Sequence, residues 1–269
     1  MHLGIIGFGN IAKTLLQLLE QEPVKRLTVL VREAHREDAA DLLEKTPAAS
    51  VCDVVTFADD LVDAKPDLVA ECAGAGAVAD IVPRLLGAGI STVVVSIGAL
   101  ADDALAAGLR QAAEAGSAKL ILPSGAIGGI DLLAALKPAG DLSVTYQGTK
   151  PPGAWMGTPA EAALDLEALA EPTVFFKGSA RNAALNYPKN ANVAATLALA
   201  GAGFEATLVE LVADPTAAKN SHAFEVESPL CRFSVRIDNA ASAANAKTSV
   251  ATVYSLLREI NRVRHSVVV

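Results

Sequence analysis

Residues 1–14, MHLGIIGFGNIAKT, read as a strand, a glycine turn and a helix in immediate succession. Leu3 to Ile6 is a short apolar run suited to a buried strand. The chain then breaks into Gly7-Phe8-Gly9-Asn10-Ile11-Ala12 and resumes with apolar positions at Ile11, Leu15, Leu18 and Leu19, along a helix. A G-x-G-x-x-A turn in this setting is the fingerprint of a dinucleotide-binding fold. Gly7 supplies the tight turn, Gly9 lets the backbone approach a pyrophosphate, and Ala12 keeps the helix close to the strand. The N–H groups at the helix start, around Asn10 and Ile11, carry partial positive charge and suit phosphate oxygens.

The rest of the composition agrees with such a fold. The chain has 269 residues, 52% of them hydrophobic and only 4% aromatic, enough for one large or two modest domains. A net charge of −8 without long basic runs argues against a nucleic-acid partner. No apolar stretch is long enough to span a bilayer, and the first residues lack the layout of a signal peptide, so a cytoplasmic protein is expected. Cys52, Cys72 and Cys231 show no metal-like spacing, and no metal is expected.

Strands are expected at 26–31, 51–55, 66–72, 91–96 and 119–122, with helices at 38–43, 77–86 and 101–115. This alternation predicts an α/β, doubly wound parallel sheet of Rossmann type over residues 1–123. At Pro123 the pattern changes. A glycine-rich link, 124–129, leads to helices at 130–137, 159–169 and 193–200. Strands are expected at 142–150, 173–177, 205–213, 223–227 and 231–237. Consecutive strands of this kind predict a second, α+β domain over 124–244 with a mixed, largely antiparallel sheet. A final helix from Lys247 to about Arg262, within 245–269, is expected to return to the first domain.

The end of the second strand selects the cofactor. An acidic side chain there holds a ribose 2′-OH, whereas a cation holds a 2′-phosphate. Here the strand ends Leu30-Val31-Arg32-Glu33, which leaves NAD and NADP both open. Gly74, in Gly74-Ala75-Gly76 at the carboxyl end of the fourth strand, is expected to wall the same crevice.

Chemistry concentrates in the second half. Asn186-Tyr187-Pro188-Lys189-Asn190-Ala191-Asn192-Val193 is unusually polar for a stretch that leads into an alanine-rich helix. One asparagine serves as a helix cap, but capping does not account for Lys189 and both asparagines together. Of four histidines, His222 opens a strand after the polar turn Lys219-Asn220-Ser221 and can carry protons near neutrality.

These segments resemble the L-aspartate dehydrogenase family. The resemblance is carried by Ser124 to Asp131, Lys150 to Trp155, Gly178 to Arg181, Tyr187 to Leu197, Asp214-Pro215, Asn220-Ser221-His222 and Asn245 to Ser249. It implies that Ala126 and Asn192 contact a nicotinamide cofactor and that His222 is the catalytic acid/base. It also implies oxidative deamination of L-aspartate to iminoaspartate, which hydrolyses to oxaloacetate and ammonia or feeds NAD biosynthesis. A dicarboxylate needs polar and cationic partners, for which Lys150, Arg181, Lys189 and Asn190 are the candidates in the matched segments. A homodimer built through the second domain is expected. The sequence departs from the family pattern at Ser228-Pro229-Leu230-Cys231, where a glycine-containing turn is usual, and at Ala246, where a proline is expected. Two other readings share the glycine turn. One is an oxidoreductase resembling dihydrodipicolinate reductase or homoserine dehydrogenase; the other is a non-catalytic dinucleotide-binding sensor.

Overall fold

The computed structural model describes residues 1–188, 190–242 and 245–268. The chain divides into two compact units, residues 1–123 with 253–269, and residues 124–252.

In the first unit, β1 (His2–Ile6), α1 (Asn10–Leu19), β2 (Val24–Leu30), α2 (Arg36–Glu44), β3 (Ala49–Val55), α3 (Ala58–Asp63) and β4 (Leu68–Glu71) follow in order. They continue into α4 (Ala75–Asp80), α5 (Val82–Gly87), β5 (Thr92–Val94), α6 (Asp103–Ala115) and β6 (Leu120–Ile121). The six strands form one sheet in the order β3-β2-β1-β4-β5-β6, every pair parallel. Strand order reverses between β1 and β4, and ligands bind at such a point, beyond the carboxyl ends of the strands. Leu3, Ile5, Leu27 and Val29 of the strands and Leu15, Leu16 and Leu19 of α1 make a fully buried core. The expected helix over 77–86 is interrupted. Pro83 has no N–H to donate, and the chain re-forms as α4 and α5 on either side of Ile81.

The second unit contains α7 (Ile130–Leu136), β7 (Ser143–Lys150), α8 (Ala160–Ala163), β8 (Thr173–Ser179), α9 (Ala180–Asn186), α10 (Asn192–Ala200) and β9 (Thr207–Ala213). It ends with β10 (Asn220–Glu227), β11 (Arg232–Asn239), β12 (Ala241–Ser242) and β13 (Asn245–Ser249), after which α11 (Val250–Arg264) begins. The five-stranded sheet runs β11-β10-β7-β9-β8, with β7–β9 parallel and the other pairs antiparallel. Buried and exposed residues alternate along β7, so one face is covered and the other open.

Two expectations change here. The helix expected over 159–169 is a single turn, α8, and the Asp165 carboxylate then accepts from the N–H groups of Glu167 and Ala168 in a turn. Residues 245–249 pair with β12 before the last helix starts at Val250. The chain accordingly rejoins the first unit at residue 253, where Val253, Leu256 and Ile260 enter that unit's core. Without a glycine, the β10–β11 hairpin closes through Ser228, whose N–H and hydroxyl both donate to the Cys231 carbonyl.

Candidate active site

In the first unit the turn after β1 opens a cavity of about 1050 Å³, lined by Gly7, Phe8, Gly9, Lys13, Arg32 and Gly74 among others. Gly7 has φ +93°, and a Cβ there would stand 2.8 Å from the Cβ of Ala73, so only glycine fits. Gly9 caps α1 in an extended conformation with no side-chain hydrogen bond, and nothing stands within 4 Å of where its Cβ would be. The helix start is thus open to a ligand, and its first N–H groups are the donors that a pyrophosphate takes. Asn10 and Ile11 form that first turn of α1 but are not among the residues lining the cavity.

Gly74, at φ +130°, is held by a carboxylate that the sequence reading passed over. Glu71 is fully buried at the end of β4. Its Oε1 accepts from the N–H groups of Ala73 and Gly74 at 2.7 Å each, and its Oε2 accepts from Ser96 N–H at 3.0 Å. One side chain therefore ties the loop after β4 to the loop after β5. An acidic residue inside an apolar strand run was the available signal, since a buried carboxylate must be satisfied.

Arg32 lines the cavity with His35, Nη2 and Nε2 lying 3.1 Å apart, whereas Glu33 pairs with Arg36. Arg32 lines the cavity and Glu33 does not.

In the second unit, the covered face of β7 carries Tyr146, Gly148 and Lys150, and the neighbouring face of β10 carries Asn220, His222 and Phe224. His222 is 3% exposed, and its Nδ1 shares a hydrogen bond of 2.7 Å with Tyr146 Oη. Burial, helped by the charge of Lys150, pushes the imidazole down to about 3, so the ring is neutral at pH 7. Lys150, also buried, donates to Asn190 Oδ1 at 2.8 Å, and its ammonium lies 5.4 Å from the centre of the Trp155 ring. Asn190 Nδ2 is buried and, among the described residues, has no hydrogen-bond acceptor. A buried amide donor left open in this way points to a polar ligand.

The remaining candidates are placed as follows. Arg181 forms an ion pair with Glu205 and lies over Phe204, so its guanidinium is engaged with a carboxylate of the protein itself. Ala126 is buried, and its carbonyl accepts from Asn239 Nδ2 at 2.8 Å, which pins the glycine-rich link to β11. Asn192 is the first residue of α10. The cap position of that helix is Ala191 and no side chain caps it, contrary to the capping expected of an asparagine. Lys189 lies outside the described residues. Tyr146, Asn239 and Glu71 are the polar residues that reading the sequence missed. Among the described residues, no group of histidines, cysteines and carboxylates could hold a metal ion, and no helix is long and apolar enough to cross a membrane.

A parallel sheet with a glycine cradle at its switch point, joined to a unit with a buried histidine and lysine, defines an NAD(P)-dependent dehydrogenase. Residues 7–123 match the family described as "Homoserine dehydrogenase, NAD binding domain", and residues 131–263 match "Aspartate dehydrogenase, C-terminal". The chain is 45% identical to the L-aspartate dehydrogenase of Polaromonas sp. over all of both chains. It is 42% identical to that of Cupriavidus taiwanensis over 99% of each. The crystal structure of aspartate dehydrogenase from Thermotoga maritima is 28% identical, with a TM-score of 0.76, over 100% of this chain and 99% of that one. The chain belongs to the L-aspartate dehydrogenase family.

Proposed function

We propose that the protein oxidises L-aspartate at Cα with NAD or NADP, and that His222 carries the proton. The observation that bears most weight is the buried group in the second unit, a neutral imidazole and a lysine on its sheet with an open amide donor from the loop before α10. Lys150 and Asn190 Nδ2 offer charge and an N–H to a substrate carboxylate. Arg181, engaged with Glu205, is not needed for that grip.

When bound, the dinucleotide supplies the hydride acceptor. Gly7, Gly9 and Gly74 hold it through backbone close approach, and Arg32 favours a 2′-phosphate. Ala126 and Asn192 are assigned to its nicotinamide end on the strength of the family resemblance. Neutral His222 takes one proton from the substrate ammonium, which frees the nitrogen lone pair as hydride leaves Cα. The C–H bond breaks, a C=N bond forms, and iminoaspartate results. Water then adds across C=N to give oxaloacetate and ammonia, unless the imine is drawn into NAD biosynthesis. A carboxylate seated on Lys150 offsets the positive charge that helps depress the imidazole, so substrate binding raises the ring's proton affinity.

On this reading residues 1–123 hold the dinucleotide's phosphates and 124–244 bind substrate and meet the nicotinamide end. The open face of the five-stranded sheet, with Leu208 exposed, supports pairing into a homodimer. A cytoplasmic location completes the proposal. The experiment is reduction of NAD and of NADP by the purified protein across a panel of amino acids and hydroxy acids. Turnover with aspartate is expected. Turnover of another substrate and none of aspartate would overturn the reading, and cofactor binding with no turnover at all would favour a sensor.

A further inference from the structure

Tyr146 and Gly148 stand two residues apart on the covered face of β7. Across the sheet Gly148 pairs with His222 and Tyr146 with Phe224, so phenol and imidazole are diagonal neighbours. The tyrosine side chain lies along its own strand over Gly148. A Cβ at position 148 would stand 2.6 Å from Tyr146 Oη and 3.2 Å from its Cζ. The missing side chain is what lets Oη come to 2.7 Å from His222 Nδ1, with the two rings within 14° of parallel. Tyr146 is fully buried, and burial holds its phenol above its ordinary pKa, so it stays protonated.

We propose that Tyr146 is a positioning residue for His222, engaging Nδ1 so that Nε2 is the nitrogen that exchanges protons, and that Gly148 is the gap that permits this contact. The proposal rests on His222 being the acid/base. In the proposed tautomer Nδ1–H donates to Oη and Nε2 keeps its lone pair; the reverse bond, phenol O–H to Nδ1, would leave the hydrogen on Nε2, and the ring's NMR tautomer distinguishes the two. When Nε2 takes the proton from the substrate ammonium, Nδ1–H still donates to Oη, so one hydrogen bond serves both protonation states. A carboxylate in this position would also orient the ring, but its charge would draw the imidazole's pKa upward. A phenol orients without charge. Among the described residues, the charged or titratable groups bearing on the ring are Tyr146 and Lys150, both on β7.

Tyr146→Phe keeps the ring and removes the hydroxyl. Its kcat with aspartate is expected to fall by about tenfold or more, the range of a misdirected general base, with KM for the dinucleotide unchanged. Nitrogen NMR of the His222 imidazole, assigned by the signal lost in His222→Ala, is expected to show one tautomer (Nδ1 protonated) in the parent and a mixture in Tyr146→Phe. Gly148→Ala should reproduce both effects by displacing the phenol, and should cost less when Phe already occupies position 146. If Tyr146→Phe does not fold, Gly148→Ala reads the same contact from its other side. Unchanged kcat and an unchanged tautomer in Tyr146→Phe, with His222→Ala inactive, would overturn the positioning role alone. Full activity of His222→Ala would overturn the acid/base reading and this one with it.

Discussion

The two sheets of this protein prepare for ligands in opposite ways. The parallel sheet works by omission: Gly7 and Gly74 adopt positive φ, Gly9 leaves space, and a helix start is left uncapped. The mixed sheet works by inclusion, burying an imidazole and an ammonium on a face that elsewhere carries Val144, Phe224 and Val226, with the Asn190 amide of the loop before α10 against the lysine. A cradle of backbone suits any dinucleotide and is shared widely. Buried polar side chains are costly unless used, so their identity is specific to one chemistry. The family models divide along this line: residues 7–123 match a homoserine dehydrogenase cofactor domain and residues 131–263 match the aspartate dehydrogenase C-terminal domain.

That contrast breaks most readily at Lys150. Replacing it by Met should lower kcat/KM for aspartate on the order of 100-fold, as removal of one partner from a buried charge contact does, with dinucleotide affinity kept. The same variant should raise the His222 pKa from about 3, because a depressing charge is gone while burial remains. Steady-state kinetics and imidazole titration by NMR check the two parts. In the other unit, Gly7→Ala meets both a positive φ and the Ala73 side chain, a strain of about 1–3 kcal/mol. Weaker dinucleotide binding and a lower melting temperature are expected, with no special effect on aspartate once cofactor is saturating. If cofactor KM does not change, the cradle is not where the dinucleotide sits.

A smaller effect sharpens the cofactor side. Arg32→Ala should raise KM for NADP by about tenfold, the value of a hydrogen bond to a charged group, and KM for NAD much less. Equal changes would end the 2′-phosphate role. A further effect is on stability. The folded pKa of His222 lies near 3, below the ordinary value of 6.5, so the unfolded chain binds the extra proton between those values. The contribution is complete above about pH 6.5 and is lost as pH falls toward 3. Melting temperatures of the parent and His222→Asn across that range should converge as pH falls.

What the sequence disclosed follows from the same contrast. Gly7-Phe8-Gly9 was legible because a backbone requirement admits few residues, and the apolar runs of β1, β2 and β4 show where strands are buried on both faces. The turn at α8 was not legible. Its alanines and leucines fit a helix by spacing, yet Asp165 draws the following N–H groups into a turn. Lys150 was found through the family resemblance, and His222, singled out by the polar turn before it, gained its catalytic role the same way, because a lone lysine or histidine on a strand has little local signature. Tyr146 escaped because alternation along a strand reveals which face a residue takes, not which diagonal neighbour it bonds. An aromatic residue two places before a glycine was the one hint, repeated in Phe176 and Gly178, where a Cβ would meet the Phe176 ring at 2.9 Å.

The claim that the mixed sheet holds the chemistry and the parallel sheet only the cofactor is tested most directly on one sample of His222→Ala. Its dinucleotide dissociation constant and its aspartate turnover should be measured side by side. An affinity close to the parent's is expected, with turnover lower by about 10²-fold or more, the contribution of a lost general acid/base. Turnover equal to the parent's would contradict that claim.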